Sequence, residues 1–169
     1  TIIGKTAGDA ITTGGNSVCI GVDAGGNVTT GDIIAVGNYA GQNMTTGVRM
    51  TAIGTSSGGG TGNYNTAVGY DAFKANDSGG QNSCFGDKAG DSITTGSNNT
   101  CIGYDADNSG ATTSNEFTLG NSSTDNLRCA DTSISALSDE RDKAEITDLP
   151  SNAGLDFVNS LRPVTFYWD

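Results

Sequence analysis

A glycine returns along this chain at positions 4, 21, 37, 54, 69, 86, 103 and 120, at intervals of 17, 16, 17, 15, 17, 17 and 17 residues. An apolar residue precedes each one: Ile3, Ile20, Val36, Ile53, Val68, Phe85, Ile102 and Leu119. One position earlier the residues are mostly small: Ile2, Cys19, Ala35, Ala52, Ala67, Cys84, Cys101 and Thr118. A period this regular calls for stacked, near-identical rungs, each resting on its neighbours, in place of one globular core.

The rung reads small–apolar–Gly–x–x–Ala–Gly, then a polar stretch, then apolar–Thr–Thr–Gly, then a few polar residues rich in Asn. The apolar pairs and the threonine pairs both read as short β segments, and the glycines as turns. Asn16, Asn65, Asn82 and Asn99 sit just before the apolar pair, where stacking predicts amide ladders from rung to rung. No helical periodicity interrupts residues 1–124. The predicted fold is mostly β, an elongated β-helix or β-solenoid fibre of eight rungs of about 17 residues each.

With 26 glycines and 34% hydrophobic residues, one chain has too little apolar material for a large core. A narrow apolar column along the inside of the stack resolves this, and three chains sharing such a column need still less. A homotrimer is therefore expected.

The net charge of −11 disfavours nucleic acid, whose phosphates are held by clustered Lys and Arg. No run approaches the roughly 20 apolar residues of a membrane span, so no membrane insertion is expected. The chain starts mid-repeat at Thr1, as a fragment would, so the lack of a visible signal peptide says little.

Cys19, Cys84 and Cys101 share one repeat column, and Cys129 lies outside it. They read as small apolar filler, interchangeable with Ala35, Ala52 and Ala67, or alternatively as a disulfide or inter-chain thiol cluster. Without histidine or a C-x-x-C pair, zinc is not indicated. Asp105, Asp107, Ser109 and Glu116 have the spacing of a calcium loop, but Tyr104 and Phe117 on either side belong to rungs. A polar loop replacing one Thr-Thr-Gly turn is the better reading, and no metal or cofactor is expected.

Residues 125–137 break the period and read as a stem. Beyond them charges concentrate in Ser138-Asp139-Glu140-Arg141-Asp142-Lys143-Ala144-Glu145-Ile146. A short helix is predicted over 152–161 from Leu155, Val158 and Leu161, stopped by Arg162-Pro163, with a β-strand over 164–168.

Ser138-Asp139-x-Arg141-x-Lys143-x-x-Ile146, followed by Leu161-Arg162-Pro163-Val164-x-Phe166-x-Trp168, resembles the opening of the endosialidase-type intramolecular chaperone domain found at the ends of phage tail spikes and fibres. The resemblance implies that 138–169 begin a small α+β chaperone domain. Such a domain trimerises, templates the upstream fibre and then cuts itself off. It makes Ser138 and Lys143 a catalytic pair, with scission at the Ser138–Asp139 bond. The activity would be at most that of a single-turnover serine endopeptidase. A serine needs a base, and a desolvated lysine can serve as one. The rungs are also similar to trimeric adhesin heads and phage fibre shafts.

The implied function is that of a structural and host-attachment fibre of a virus, a phage tail fibre or spike, located on the virion and therefore extracellular. Its receptor would be a cell-surface glycan or protein. The alternatives are a cellular trimeric surface adhesin and the shaft of a glycan-degrading tail spike.

Overall fold

The computed structural model describes residues 1–128 apart from 14, 15, 31, 47 and 48. Thr1–Leu127 forms a compact unit of its own. Its strands are β1 (Ile2–Ile3), β2 (Val18–Ile20), β3 (Ile33–Val36), β4 (Met50–Ile53), β5 (Thr66–Val68), β6 (Ser83–Phe85), β7 (Thr100–Ile102) and β8 (Phe117–Leu119). All pair in parallel with their sequence neighbours, so the eight strands make one sheet in the order in which they are synthesised. This unit is a parallel β-solenoid, and no helix occurs among the described residues.

The strand register carries one repeat position up each column. The inward column is Cys19, Ala35, Ala52, Ala67, Cys84 and Cys101, all fully buried. Facing it across the interior are Ala24, Ala40, Ala72, Ala89 and Ala106, with Val28, Met44, Phe73 and Ile93 beside them. The interior is too thin for two large side chains to meet, which explains the small residue at the centre of each strand.

Five of the eight column glycines are followed seven positions later by an apolar residue (Ile11, Val28, Met44, Ile93 and Leu127), whereas rungs four and seven have Thr61 and Gly110 there and rung five has Asn76. In that rung Phe73 stands where its neighbours have glycine, and its fully buried ring supplies the missing bulk. Asn76 meanwhile donates Nδ2 to the Gly59 carbonyl at 2.8 Å and accepts the Gly79 N–H at 2.8 Å.

The asparagine ladder forms at Asn65, Asn82 and Asn99, all buried. The Asn82 N–H donates to Asn65 Oδ1 at 2.9 Å, and the Asn99 N–H to Asn82 Oδ1 at 3.0 Å. Each Nδ2 donates to a carbonyl fourteen residues ahead, at Gly79, Gly96 and Thr113. Asn16 is exposed and has no part in the described ladder.

The threonine pairs differ from the expectation. They form no strands among the described residues, only an isolated bridge between Thr13 and Thr30. The Thr12 and Thr13 N–H groups converge on the single carbonyl of Thr29, at 3.1 and 3.2 Å, so the chain curves there instead of extending a ladder. The hydroxyls continue the stacking: Thr12, Thr29 and Thr94 donate Oγ1 to a carbonyl of the next rung at 2.9–3.2 Å.

The turn after each of the first seven column glycines holds a residue at left-handed φ between 53° and 61°, at Thr6, Asp23, Tyr39, Ser56, Asp71, Lys88 and Asp105. Such geometry is uncommon outside glycine and asparagine. Rung-to-rung bonds hold it, as where Lys88 N–H donates to the Tyr70 carbonyl at 2.8 Å. The predicted helix over 152–161 and strand over 164–168 lie outside the described residues, as does the stem from 129 onward.

Candidate functional site: an apolar ridge on the outer face

In a strand of three or four residues with the small central residue inward, its two neighbours must point outward. The register therefore stacks Ile3, Ile20, Val36, Ile53, Val68, Phe85, Ile102 and Leu119 into a ridge one residue wide along the outer face of the sheet. Ile3, Ile53, Phe85, Ile102 and Leu119 are exposed by 38–59%, and Ile20, Val36 and Val68 are half-buried. The apolar column expected inside the stack is thus divided. Its small members fill the interior and its large members face out.

A second outward column runs alongside, through Val18, Ile34, Thr51, Thr66, Ser83, Thr100 and Phe117. Neither column holds a charged residue, in a chain whose net charge is −11. Parallel sheets are almost always covered on both faces. A contiguous, largely exposed apolar strip of this length is uncommon on the surface of a monomeric protein. Covering it would contribute about 1 kcal/mol for each half-exposed side chain.

Charge is kept to the turns. Asp71 Oδ1 meets Lys74 Nζ at 3.0 Å, and this bond raises the Lys74 pKa. Burial, then Asp107 and Asp105, push the Asp91 carboxyl above its ordinary range, with Lys88 opposing. At the calcium-like spacing, Glu116 accepts the Ser109 N–H at 2.9 Å and the Ser109 hydroxyl at 2.6 Å. These two bonds lower the Glu116 pKa and close the polar loop upon itself.

Cys84 and Cys101 are register partners on β6 and β7, both buried and both free thiols, like Cys19. The bond between their thiols, and then burial, push the Cys84 pKa up, so it stays protonated and packs as small filler. Cys101 Sγ also lies 3.2 Å from Asn108 Oδ1.

Ser138, Lys143 and Cys129 lie outside the described residues. What the sequence reading missed is the outward direction of the large apolar residues. The signal was present in the pairing of a small residue with a large one at each rung.

The family model for the chaperone of endosialidase matches residues 138–169. That segment begins at the serine that opens the charged run, so the repeat region is followed by a segment similar to the chaperone of endosialidase. No curated protein and no solved structure was found to match the chain.

Proposed function

We propose that this chain is the shaft of a viral attachment fibre, a phage tail fibre or spike, which assembles as a homotrimer along the apolar ridge. The uncharged ridge on an otherwise acidic solenoid carries the reading. A strip one residue wide suits a three-fold axis, along which three ridges meet and each covers the others. All rungs run in parallel, so three aligned chains repeat the same contact eight times. The chaperone-type segment at 138–169 supports this arrangement, since a slow-forming stack of non-local pairings gains from a folded nucleus at one end. The exposed sides of such a fibre, on the virion and outside the cell, would meet a host-surface glycan or protein.

In this reading Ser138 is the nucleophile and Lys143 the base of a single self-cleavage at Ser138–Asp139. The Ser138 hydroxyl of one chain attacks the Ser138 carbonyl carbon of a neighbouring chain in the trimer, because attack on its own carbonyl would close a strained four-membered ring. Lys143 takes the hydroxyl proton and returns it to the Asp139 amine as the peptide C–N bond breaks. Water then hydrolyses the ester. Folding comes first, because Lys143 acts as a base only when desolvated.

Two experiments test the proposal. Deleting 138–169 is expected to leave chains that aggregate or stay unassembled, and equal assembly with and without the segment would remove its folding role. Mass spectrometry of mature fibre from a gene with a complete chaperone domain should find chains ending at Ser138, and full-length chains in Ser138→Ala or Lys143→Ala. Intact wild-type chains would show a retained, non-cleaving segment.

A further inference from the structure

A second surface lies beyond the hydroxyl-bearing column that borders the ridge. Where the chain enters β5, β6 and β7, three successive rungs shape an open cleft of about 400 Å³. Its walls include Thr61, Asn63 and Tyr64 from one rung, Ser78 and Gln81 from the next, and Ser97 from the third. No lining residue is charged, although acidic residues outnumber basic ones by 19 to 8 in the chain. We propose that this cleft is a binding site for a neutral glycan, with Tyr64 as its stacking wall and Gln81 as its principal hydrogen-bonding group. The proposal rests on the attachment reading above and names the receptor chemistry for it.

The chemistry of the walls selects the ligand. The lining itself offers an anionic ligand no cation and a cationic one no carboxylate, and the neighbouring Arg49 guanidinium is engaged with the Tyr64 ring and donates to the Tyr64 hydroxyl at 3.5 Å. An apolar peptide side chain would find only one ring. A neutral sugar offers the complementary set, hydroxyls that both donate and accept, and an apolar C–H face. Tyr64 is 52% exposed, so its ring can lie against such a face. The Gln81 amide and the Ser78 hydroxyl are exposed and have no intramolecular partner among the described residues. A primary amide presents a donor and an acceptor side by side, which matches two adjacent hydroxyls of one ring.

The site is also held in shape before any ligand arrives. Tyr64 and Gln81 occupy equivalent turn positions, both at φ 61°. The Gln81 N–H donates to the Asn63 carbonyl at 2.9 Å, which locks one rung's wall to the next. The Arg49 guanidinium lies 5.5 Å from the Tyr64 ring centroid and fixes the ring from the rung before. Tyr64 and Gln81 stand one rung apart, about 4.8 Å. That is close to the length of one sugar, so an extended chain of two or three sugars laid along the fibre axis would meet both. Rigid walls spare the ligand the cost of ordering them.

Saturation-transfer NMR on the full chain tests this, with maltotetraose and lacto-N-neotetraose as neutral probes and a heparin-derived tetrasaccharide as the charged comparison. Transfer to at least one neutral probe and none to the heparin fragment is expected. Tyr64→Ala and Gln81→Ala should each weaken that binding by about ten-fold or more. Circular dichroism and assembled mass should stay unchanged, since both side chains are exposed. Absence of transfer to both neutral probes, equal binding by Tyr64→Ala, or preference for the heparin fragment would overturn the proposal. Failure of the fibre reading looks different: the wild-type chain would remain monomeric whether or not it binds sugar.

Discussion

Replacing Gly86 by alanine probes the close backbone stacking of the column glycines. Gly86 has φ +138°, a region that side-chain-bearing residues rarely enter, and a β-carbon there would lie 2.4 Å from the Gly103 carbonyl oxygen and 2.6 Å from its carbon. The obstacle is backbone of the next rung, which no rotamer change can move aside. Strain at such a φ costs about 1–3 kcal/mol. Separating the rungs also weakens the bonds of the Gly86 N–H to Val68 and the Gly103 N–H to Phe85, both 2.8 Å. Each is worth about 1 kcal/mol. The expected loss is about 3–5 kcal/mol per chain, or a fall of about 10 °C in Tm for a domain of this size. Gly110→Ala is the control, because its only close neighbour is the rotatable Thr113 hydroxyl at 3.1 Å. It should cost about 0.5 kcal/mol or less. Because rungs contact only their neighbours, hydrogen exchange should speed up most at β6 and β7. Equal melting of the two variants, or exchange changes spread evenly along the solenoid, would refute the reasoning.

Asn82→Ala strips partners from the buried Asn99 N–H and Gly96 carbonyl, so it should lower stability by about 2–5 kcal/mol by thermal melting, while exposed Asn16→Ala should be near neutral. Iodoacetamide at neutral pH should leave buried Cys19, Cys84 and Cys101 unmodified in the folded chain and label all three in urea, as read by peptide mapping. Rapid labelling of Cys84 in the folded chain would contradict its place in the core. The Ser109 bonds favour the charged form of Glu116, so their contribution is present above the ordinary glutamate range and lost as pH falls through the lowered pKa. Ser109→Ala should therefore move the Glu116 titration upward by carbon-13 NMR.

Much of this architecture is legible in the sequence. The glycine interval gives the rung, the apolar pairs give the strands, and Asn65, Asn82 and Asn99 give their ladder. Other features are hidden for definite physical reasons. A strand such as Cys101-Ile102 alternates over too few residues to show which member faces in, and the answer comes from the packing at the strand centres, where Ala or Cys lies against the facing alanines. Thr12-Thr13 has strong β propensity, yet its N–H groups converge on one carbonyl, which composition does not reveal. Lys88 and Tyr39 have no local preference for left-handed backbone, so rung-to-rung bonding alone puts them there. The cleft at Tyr64 and Gln81 escapes notice because its walls come from turns fifteen or more residues apart. The junction at Ser138 and Lys143 is read from motif alone.

Sedimentation equilibrium of the full chain, alongside a Phe85→Asp, Ile102→Asp double variant, tests the central claim most directly. Both side chains are exposed on the ridge and lie outside the solenoid interior, so the variant should keep its β circular dichroism. The wild-type mass should be three times the chain mass of 17.0 kDa, or three times that of the processed chain if self-cleavage has occurred. The variant should sediment as single folded chains or dissociate at far higher concentration. A wild-type chain that stays folded and monomeric at micromolar concentration, or a variant that assembles as well as wild type, would contradict assembly through the ridge.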